Sequence, residues 1–598
     1  MASIDIPSRL SALRTLMSAN QIDAYLVLSS DPHLSEYLPE HWQSRVWLSG
    51  FTGSAATLLL TQHEAALWTD SRYWAQASQE LANTGITLMR QGAEQVPDPE
   101  TFLQQHLSTG AVLCLDAQVM PQSSFESWQA LAQQNSWCIQ AQDLLIDALW
   151  AQRPALPQAA IYAHEPPFLG RTRAENLSTI RQQMDSRGAA WHLLSSLDDI
   201  AWLLGLRGAD VAYNPVFLAH LLVGHEQAYL FVDPRKLDAS LQQALLDDGV
   251  QVVAYEQLGE HLAGLSVEAT LLFDPNAVTA GVLMSAQHLS WQRQANPSTL
   301  LKASKNAHEQ EQIRQVMVQD GIALCEFYAW FDRTIAERPI TELEVDQQLT
   351  AARARRPHFV SPSFATIAGF NANGAMPHYQ ATAEQYSTIE GDGLLLIDSG
   401  GQYLGGTTDI TRMTPVGQLS AAQKQDCTVV LQAMIALSQA VFPHGVSGQH
   451  LDAIARMPLW QAHLDYGHGT GHGVGYFLNV HEGPQNISWR LRPGRAMVPL
   501  VPGMVTSNEP AVYRDGQWGV RIENLILTQA AEQNAFGTFY CFETLTLCPI
   551  DTRCIEVSLL AAHERQWLNQ YHQQVRQALA PHLEKDALQW LLTRTEAV

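Results

Sequence analysis

Between residues 393 and 527 the chain sets acidic and imidazole side chains into apolar or glycine-rich surroundings, where charge is costly without a partner. In GLLLIDSGGQYLGGTTDITR, Asp398 ends an apolar run and Asp409 follows eleven residues later, beyond Gly400, Gly401, Gly405 and Gly406. An apolar strand, a glycine-rich turn and a return strand predict a hairpin that sets the two carboxylates side by side. Like charges that close repel unless a cation lies between them. In isolation, two ordinary strand-end aspartates would read the same way.

The next stretch, GHGTGHGVGYFLNVHEGP, holds His468, His472 and His481 within fourteen residues. Glycines let backbone approach a ligand closely, and a glycine-framed histidine cluster is poorly explained by packing alone. Glu509 then precedes Pro510 in SNEPAVY, which restricts it to extended backbone. In GVRIENLILT, Glu523 sits inside an apolar strand, with Arg521 on the same face by strand parity. A salt bridge between those two is the simpler reading of that pair. Taken together, two Asp, one His and two Glu offer hard oxygen ligands with one imidazole. Such a set suits manganese, cobalt, iron or zinc in a two-ion site. Ions about 3.5–4 Å apart can share carboxylates and hold a hydroxide at neutral pH, a good nucleophile for an amide carbonyl. Spacing alone does not choose among peptidase, phosphatase and amidase.

The elements that must position these residues are legible in outline. Residues 21–60 carry the strand-like runs AYLVLSS and ATLLLT, followed by ALWTDSRYW and a helix over AQASQELA. This is an α/β pattern. The proline-rich stretch 153–167 reads as a linker. A second α/β pattern follows: a helix around 173–187, a strand over 220–233 and the run ATLLFDP. Its order resembles the first and predicts a duplicated domain. A long amphipathic helix is expected over 307–336, with Ile313, Val316, Met317, Ile322, Leu324 and Phe327 on its apolar side. Beyond Pro357 glycine-rich strands dominate, and the tail after Asp551 is helical in character.

A chain of 598 residues is too long for one hydrophobic core; about 150 residues per domain predicts three or four. With 46% hydrophobic and 16% charged residues it has a globular composition. A net charge of −24 repels nucleic acid and anionic membrane, so neither is expected as a partner. Seven cysteines, never spaced CxxC, predict reduced thiols. The start MASIDIPSRL lacks the pattern of a signal peptide, and no run of 18 apolar residues occurs. The expectation is a cytoplasmic protein.

The contexts LLIDSGGQY, GGTTDITR, GTGHGVG, SNEPAVY and VRIEN, together with WLSGFTGSAATLLLT, ALWTDSRYWAQA and CFETLTLCPIDTRCIEVSLL, resemble the pita-bread metallopeptidases. Within them they look most like aminopeptidase P of the long, three-domain type. The resemblance covers nearly the whole chain and is strongest over 358–554. It implies α/β and α+β architecture: two creatinase-like N-terminal α/β domains (1–157 and 158–303), then a pita-bread catalytic domain with a C-terminal extension (304–598).

The resemblance also implies a metal-dependent exopeptidase that releases the N-terminal residue from peptides with proline second. A hydroxide bridging two divalent ions would attack the scissile amide, with manganese the first choice and cobalt, zinc or iron also fitting. By position, Asp398, Asp409, His472, Glu509 and Glu523 would bind the ions, and Glu509 would accept the proton of the attacking water. His378, His468 and His481 would face the scissile carbonyl, the oxyanion or the proline, with Tyr379 a further wall of the proline pocket. Arg521 would orient Glu523 and Asp409. Glu36 and Arg72 read as ordinary surface residues. A homodimer is expected. The competing readings are a prolidase restricted to Xaa-Pro dipeptides and a non-catalytic pita-bread binding protein; relatives of the second kind have lost the metal ligands, and here the set is intact.

Overall fold

The run Ala24–Leu28 (β1) is buried along four of its five residues, as a strand covered on both faces must be. It centres a six-stranded sheet with Thr57–Thr61 (β2), Ala65–Thr69 (β3), Thr87–Arg90 (β4), Val112–Leu115 (β5) and Cys138–Gln140 (β6), in the order β4-β3-β2-β1-β5-β6. A second six-stranded sheet uses Trp191–Leu194 (β7), His220–Gly224 (β8), Ala228–Phe231 (β9), Val250–Val253 (β10), Thr270–Phe273 (β11) and Ser290–Arg293 (β12). Its order is β10-β9-β8-β7-β11-β12, the same as the first. The pairings match too. The first two links in chain order are antiparallel and the other three parallel in both sheets. This shared topology is what the expected duplication requires.

These features belong to a computed structural model that describes residues 5–142, 145–490 and 497–598. Residues 220–233, expected as one strand, form the hairpin of β8 and β9. Gly224 and the polar His225, Glu226 and Gln227 break the apolar run, and a continuous strand would have carried them into the sheet. The chain divides into two compact units, Met1–Glu165 with Arg171–Thr299, and Pro166–Gly170 with Leu300–Val598. Both sheets lie in the first unit. They are tied by backbone pairing of Pro121 with Thr279 and by a bond from His33 Nδ1 to the Ser195 carbonyl at 3.0 Å.

The second unit begins its main body with the helix Ala307–Glu337, started by a capping box of Asn306 and Glu309. All six predicted apolar positions are buried in it. The sheet that carries the chemistry has Gly393–Ser399 (β14) between Ile367–Phe370 (β13) and Ile410–Val416 (β15). All seven residues of β14 are buried. A second sheet includes Val505–Asn508 (β16), a hairpin follows in Ala511–Arg514 (β17) and Trp518–Arg521 (β18), and Asn524–Asn534 (β19) pairs back onto β16. No helix among the described residues is long and apolar enough to cross a membrane.

Candidate metal centre

The register of these strands brings the acidic residues together. Asp398, at the end of β14, pairs with Thr411 of β15, and Asp409 immediately precedes β15. The connection is more elaborate than a single hairpin. Gly401–Tyr403 and Gly406–Thr407 form their own small hairpin in a separate sheet with Phe359–Pro362. Gly400 makes this sharp departure possible, since a Cβ there would lie 2.0 Å from the Thr408 carbonyl oxygen. On the other sheet Asn508 pairs with Asn524. Glu509 and Glu523 are each adjacent to this pair, so both leave the sheet at the same end. The amide of Glu509 donates to Thr470 O at 2.8 Å, and that of Glu523 to Thr411 O at 3.2 Å. Thr411 Oγ1 also donates to Glu523 Oε2 at 2.7 Å, joining the two strand systems.

His472 enters from the short strand Gly471–His472, paired with Asn486–Ile487. Its Nδ1 faces the Gly473 carbonyl at 3.0 Å, which places the ring proton there and directs the Nε2 lone pair at the carboxylates. Nε2 lies 3.5 Å from Asp409 Oδ2 and 3.6 Å from Glu509 Oε1. Donor atoms of Asp409, His472 and Glu523 all fall within 4.8 Å of one another. Asp398 Oδ1 is buried without a hydrogen-bond partner among the described residues.

Burial and neighbouring charge oppose the ionisation of three carboxylates in this space. Burial first, then the charges of Glu523, Asp398 and Glu509, push Asp409 well above the usual carboxylate range. Burial, then Asp398 and Glu509, does the same to Glu523. Burial raises Glu509 to about 7, although Arg521 works against the shift. A protein that buries this much like charge has the electrostatics of a site completed by cations. The donor set, carboxylate oxygens with one imidazole, fits hard divalent ions. The orphaned Asp398 oxygen adds an unsatisfied ligand atom.

Arg521 departs from its expected part. Its Nη2 lies 2.5 Å from Asp398 Oδ2, and its Nε donates to Thr411 Oγ1 at 3.1 Å, so its hydrogen-bond path to Glu523 runs through that hydroxyl. The guanidinium is taken by Asp398 and not by Asp409. The simple Arg521–Glu523 salt bridge is likewise replaced. Nη1 donates to Tyr513 OH at 2.7 Å. That hydroxyl meets His468 Nε2 at 2.9 Å, while His468 Nδ1 faces Gly469 O at 2.7 Å. Both ring nitrogens of His468 are thus engaged by protein, which leaves neither for a substrate in this arrangement. His468 instead ends a chain running through Tyr513 and Arg521 to Asp398.

His481 packs edge-on to His472, with ring centroids 4.3 Å apart. His378 lies half-buried in a turn. Its neighbour Tyr379 is buried and donates to Glu342 at 2.9 Å, which makes it part of the core rather than the expected pocket wall. Sequence reading missed Thr411, Tyr513 and Ser507. Ser507 accepts from the amide of His472 at 3.0 Å and lies 3.4 Å from Glu509 Oε1. Thr411 and Tyr513 were marked only by strand parity with residues already singled out.

Comparison with known proteins resolves what spacing left open. Residues 311–530 match the model of metallopeptidase family M24, and 538–598 match the C-terminal region of peptidase M24. Residues 9–148 and 152–309 each match a creatinase/prolidase N-terminal domain. Aminopeptidase P2 of Arabidopsis thaliana is 38% identical, over 99% of this chain and 88% of that protein. The chain belongs to the aminopeptidase P group of metallopeptidase family M24. A probable Xaa-Pro aminopeptidase P of Coprinopsis cinerea is 36% identical over 100% of this chain and 99% of its own length. The crystal structure of X-prolyl aminopeptidase from Caenorhabditis elegans, described as a cytosolic enzyme with a di-nuclear active site, superposes with a TM-score of 0.95. It is 30% identical, over 100% of both chains. The chain therefore has two creatinase-type N-terminal domains ahead of a pita-bread metallopeptidase domain.

Proposed function

We infer that the protein releases the N-terminal residue from peptides with proline in second position, using two divalent cations held by Asp398, Asp409, His472, Glu509 and Glu523. The observation that carries the reading is the convergence of Asp409, His472 and Glu523 donor atoms within 4.8 Å, beside the unpartnered oxygen of Asp398. Such a pair of ions polarises the scissile carbonyl and acidifies a water. The chain's own residues supply the rest. Glu509 takes the proton of the attacking water and returns it to the departing proline nitrogen. Asp398, fixed by Arg521, lies where the substrate's free amine would approach. His481 and His378 donate to the carbonyl oxygen as negative charge develops, and both border the proline. His468 acts at one remove, through Tyr513 and Arg521.

Manganese is the proposed ion, because four carboxylates outnumber the single imidazole and thiolate is absent from the set. We place the enzyme in the cytoplasm and assign it as a homodimer, with domains over 1–157, 158–303 and 304–598. The C. elegans enzyme's description as cytosolic supports the first of these.

Comparing Ala-Pro with Ala-Pro-Gly tests the substrate class. After chelation and reloading with Mn2+, the tripeptide is expected to be cleaved between Ala and Pro with the higher kcat/KM. Cleavage confined to the dipeptide would make the enzyme a prolidase. Hydrolysis of neither, with both ions bound, would remove the peptidase reading.

A further inference from the structure

Three charged side chains lie next to the metal centre with almost no solvent contact, and the mechanism above uses none of them. Glu482 Oε1 is 2.6 Å from Lys305 Nζ, its Oε2 is 3.4 Å from Lys302 Nζ, and the three side chains are 0–2% exposed. Burying such a group is costly, and an ion triad in a core is weak evidence of stabilisation by itself. The Glu482 amide donates to the carbonyl of Gly473 at 2.8 Å. That same oxygen faces His472 Nδ1 at 3.0 Å. One carbonyl therefore receives two donors, and its direction decides which imidazole nitrogen carries the proton and where Nε2 points.

The approach is close. A Cβ at Gly473 would lie 2.1 Å from the Glu482 carbonyl oxygen. The Gly473 amide donates to Gln485 O at 3.1 Å, closing a short two-bond pairing across the loop. The lysine end is anchored as well. Lys305 donates its amide to Gly503 O at 2.9 Å, and Gly503 donates to Thr528 O, on β19, at 3.0 Å. His481 is the residue before Glu482, and its ring meets that of His472.

We propose that Glu482, pinned by Lys305 and Lys302, is a positioning residue that sets the Gly473 carbonyl and through it the tautomer and aim of His472. The proposal rests on His472 being a metal ligand. A partner orienting a metal-binding histidine in this way typically changes metal affinity by about 10–100-fold when lost.

The test uses the full-length, chelated chain titrated with Mn2+ by calorimetry, and kcat and KM on Ala-Pro-Gly measured against Mn2+ concentration. Lys305→Met keeps a neutral Lys302–Glu482 pair and so avoids an uncompensated buried charge. Glu482→Gln removes the carboxylate itself. Each is expected to weaken one of the two ions by about 10–100-fold, with most of kcat regained at saturating Mn2+. A purely structural role would lower the melting temperature and leave both affinities unchanged. That result in Lys305→Met overturns the proposal, as does a loss of activity that saturating Mn2+ does not restore. His472→Ala separates the two levels. If it binds both ions like the parent, His472 is no ligand and the reading beneath the proposal fails. If it loses one ion while Lys305→Met and Glu482→Gln lose none, only the positioning role fails.

Discussion

Asp409→Asn is expected to lower kcat/KM on Ala-Pro-Gly by more than about 100-fold, since replacing even the outer partners of metal ligands costs about 10–100-fold. Asp409 is 4% exposed, lies 3.5 Å from the His472 Nε2 and shares a 4.8 Å cluster with Glu523. Asparagine keeps the shape and removes the anionic oxygen. The fold should survive, because without metal the buried carboxylate already favours its uncharged form. Circular dichroism separates the two effects, and calorimetry should show at least one ion lost. Turnover close to the parent's would take Asp409 out of the centre.

The second large effect is on stability, and it runs opposite to the effect on activity. Glu509 is raised from an ordinary 4.5 to about 7, and Asp409 and Glu523 are held well above the ordinary carboxylate range, chiefly by burial and then by neighbouring carboxylates. A group raised on folding binds more protons in the native state than in the unfolded one. Its contribution is fully present below the unfolded value and disappears as pH rises through the folded value. The metal-free chain should therefore lose stability as pH climbs from about 4.5 through 7 and beyond, and the Mn2+-loaded chain should lose much less. Glu523→Gln removes a buried charge that only a cation offsets. In the chelated state at pH 8 it should melt several degrees above the parent, on the order of the 2–4 °C per kcal/mol usual for domains of this size, while being inactive with or without Mn2+. Melting curves from pH 5 to 8, with and without chelator, read both effects. Parallel curves would mean that the carboxylates carry no electrostatic strain.

Much of this was legible beforehand because the chemistry needs rare combinations. A charged residue in GLLLIDS or VRIENLIL is conspicuous against its apolar neighbours. The helix over 307–337 was readable from its period alone. Long-range register was not. Nothing local in TTDITR says that Thr411 will pair with Asp398 on the neighbouring strand and bond to Glu523 beside the other sheet. Nor does any local pattern place Tyr513 between His468 and Arg521, or say that Arg521 chooses Asp398. The hairpin at His225 was hidden by apolar runs on both sides. The Lys305–Glu482 contact spans 177 positions, beyond the reach of periodicity.

All of the chemistry depends on cations sitting among these side chains, and anomalous diffraction from a crystal soaked in Mn2+ examines that directly. Two peaks about 3.5–4 Å apart, surrounded by Asp398, Asp409, His472, Glu509 and Glu523, are the predicted result. An active enzyme whose crystals show no manganese among those five residues would contradict it.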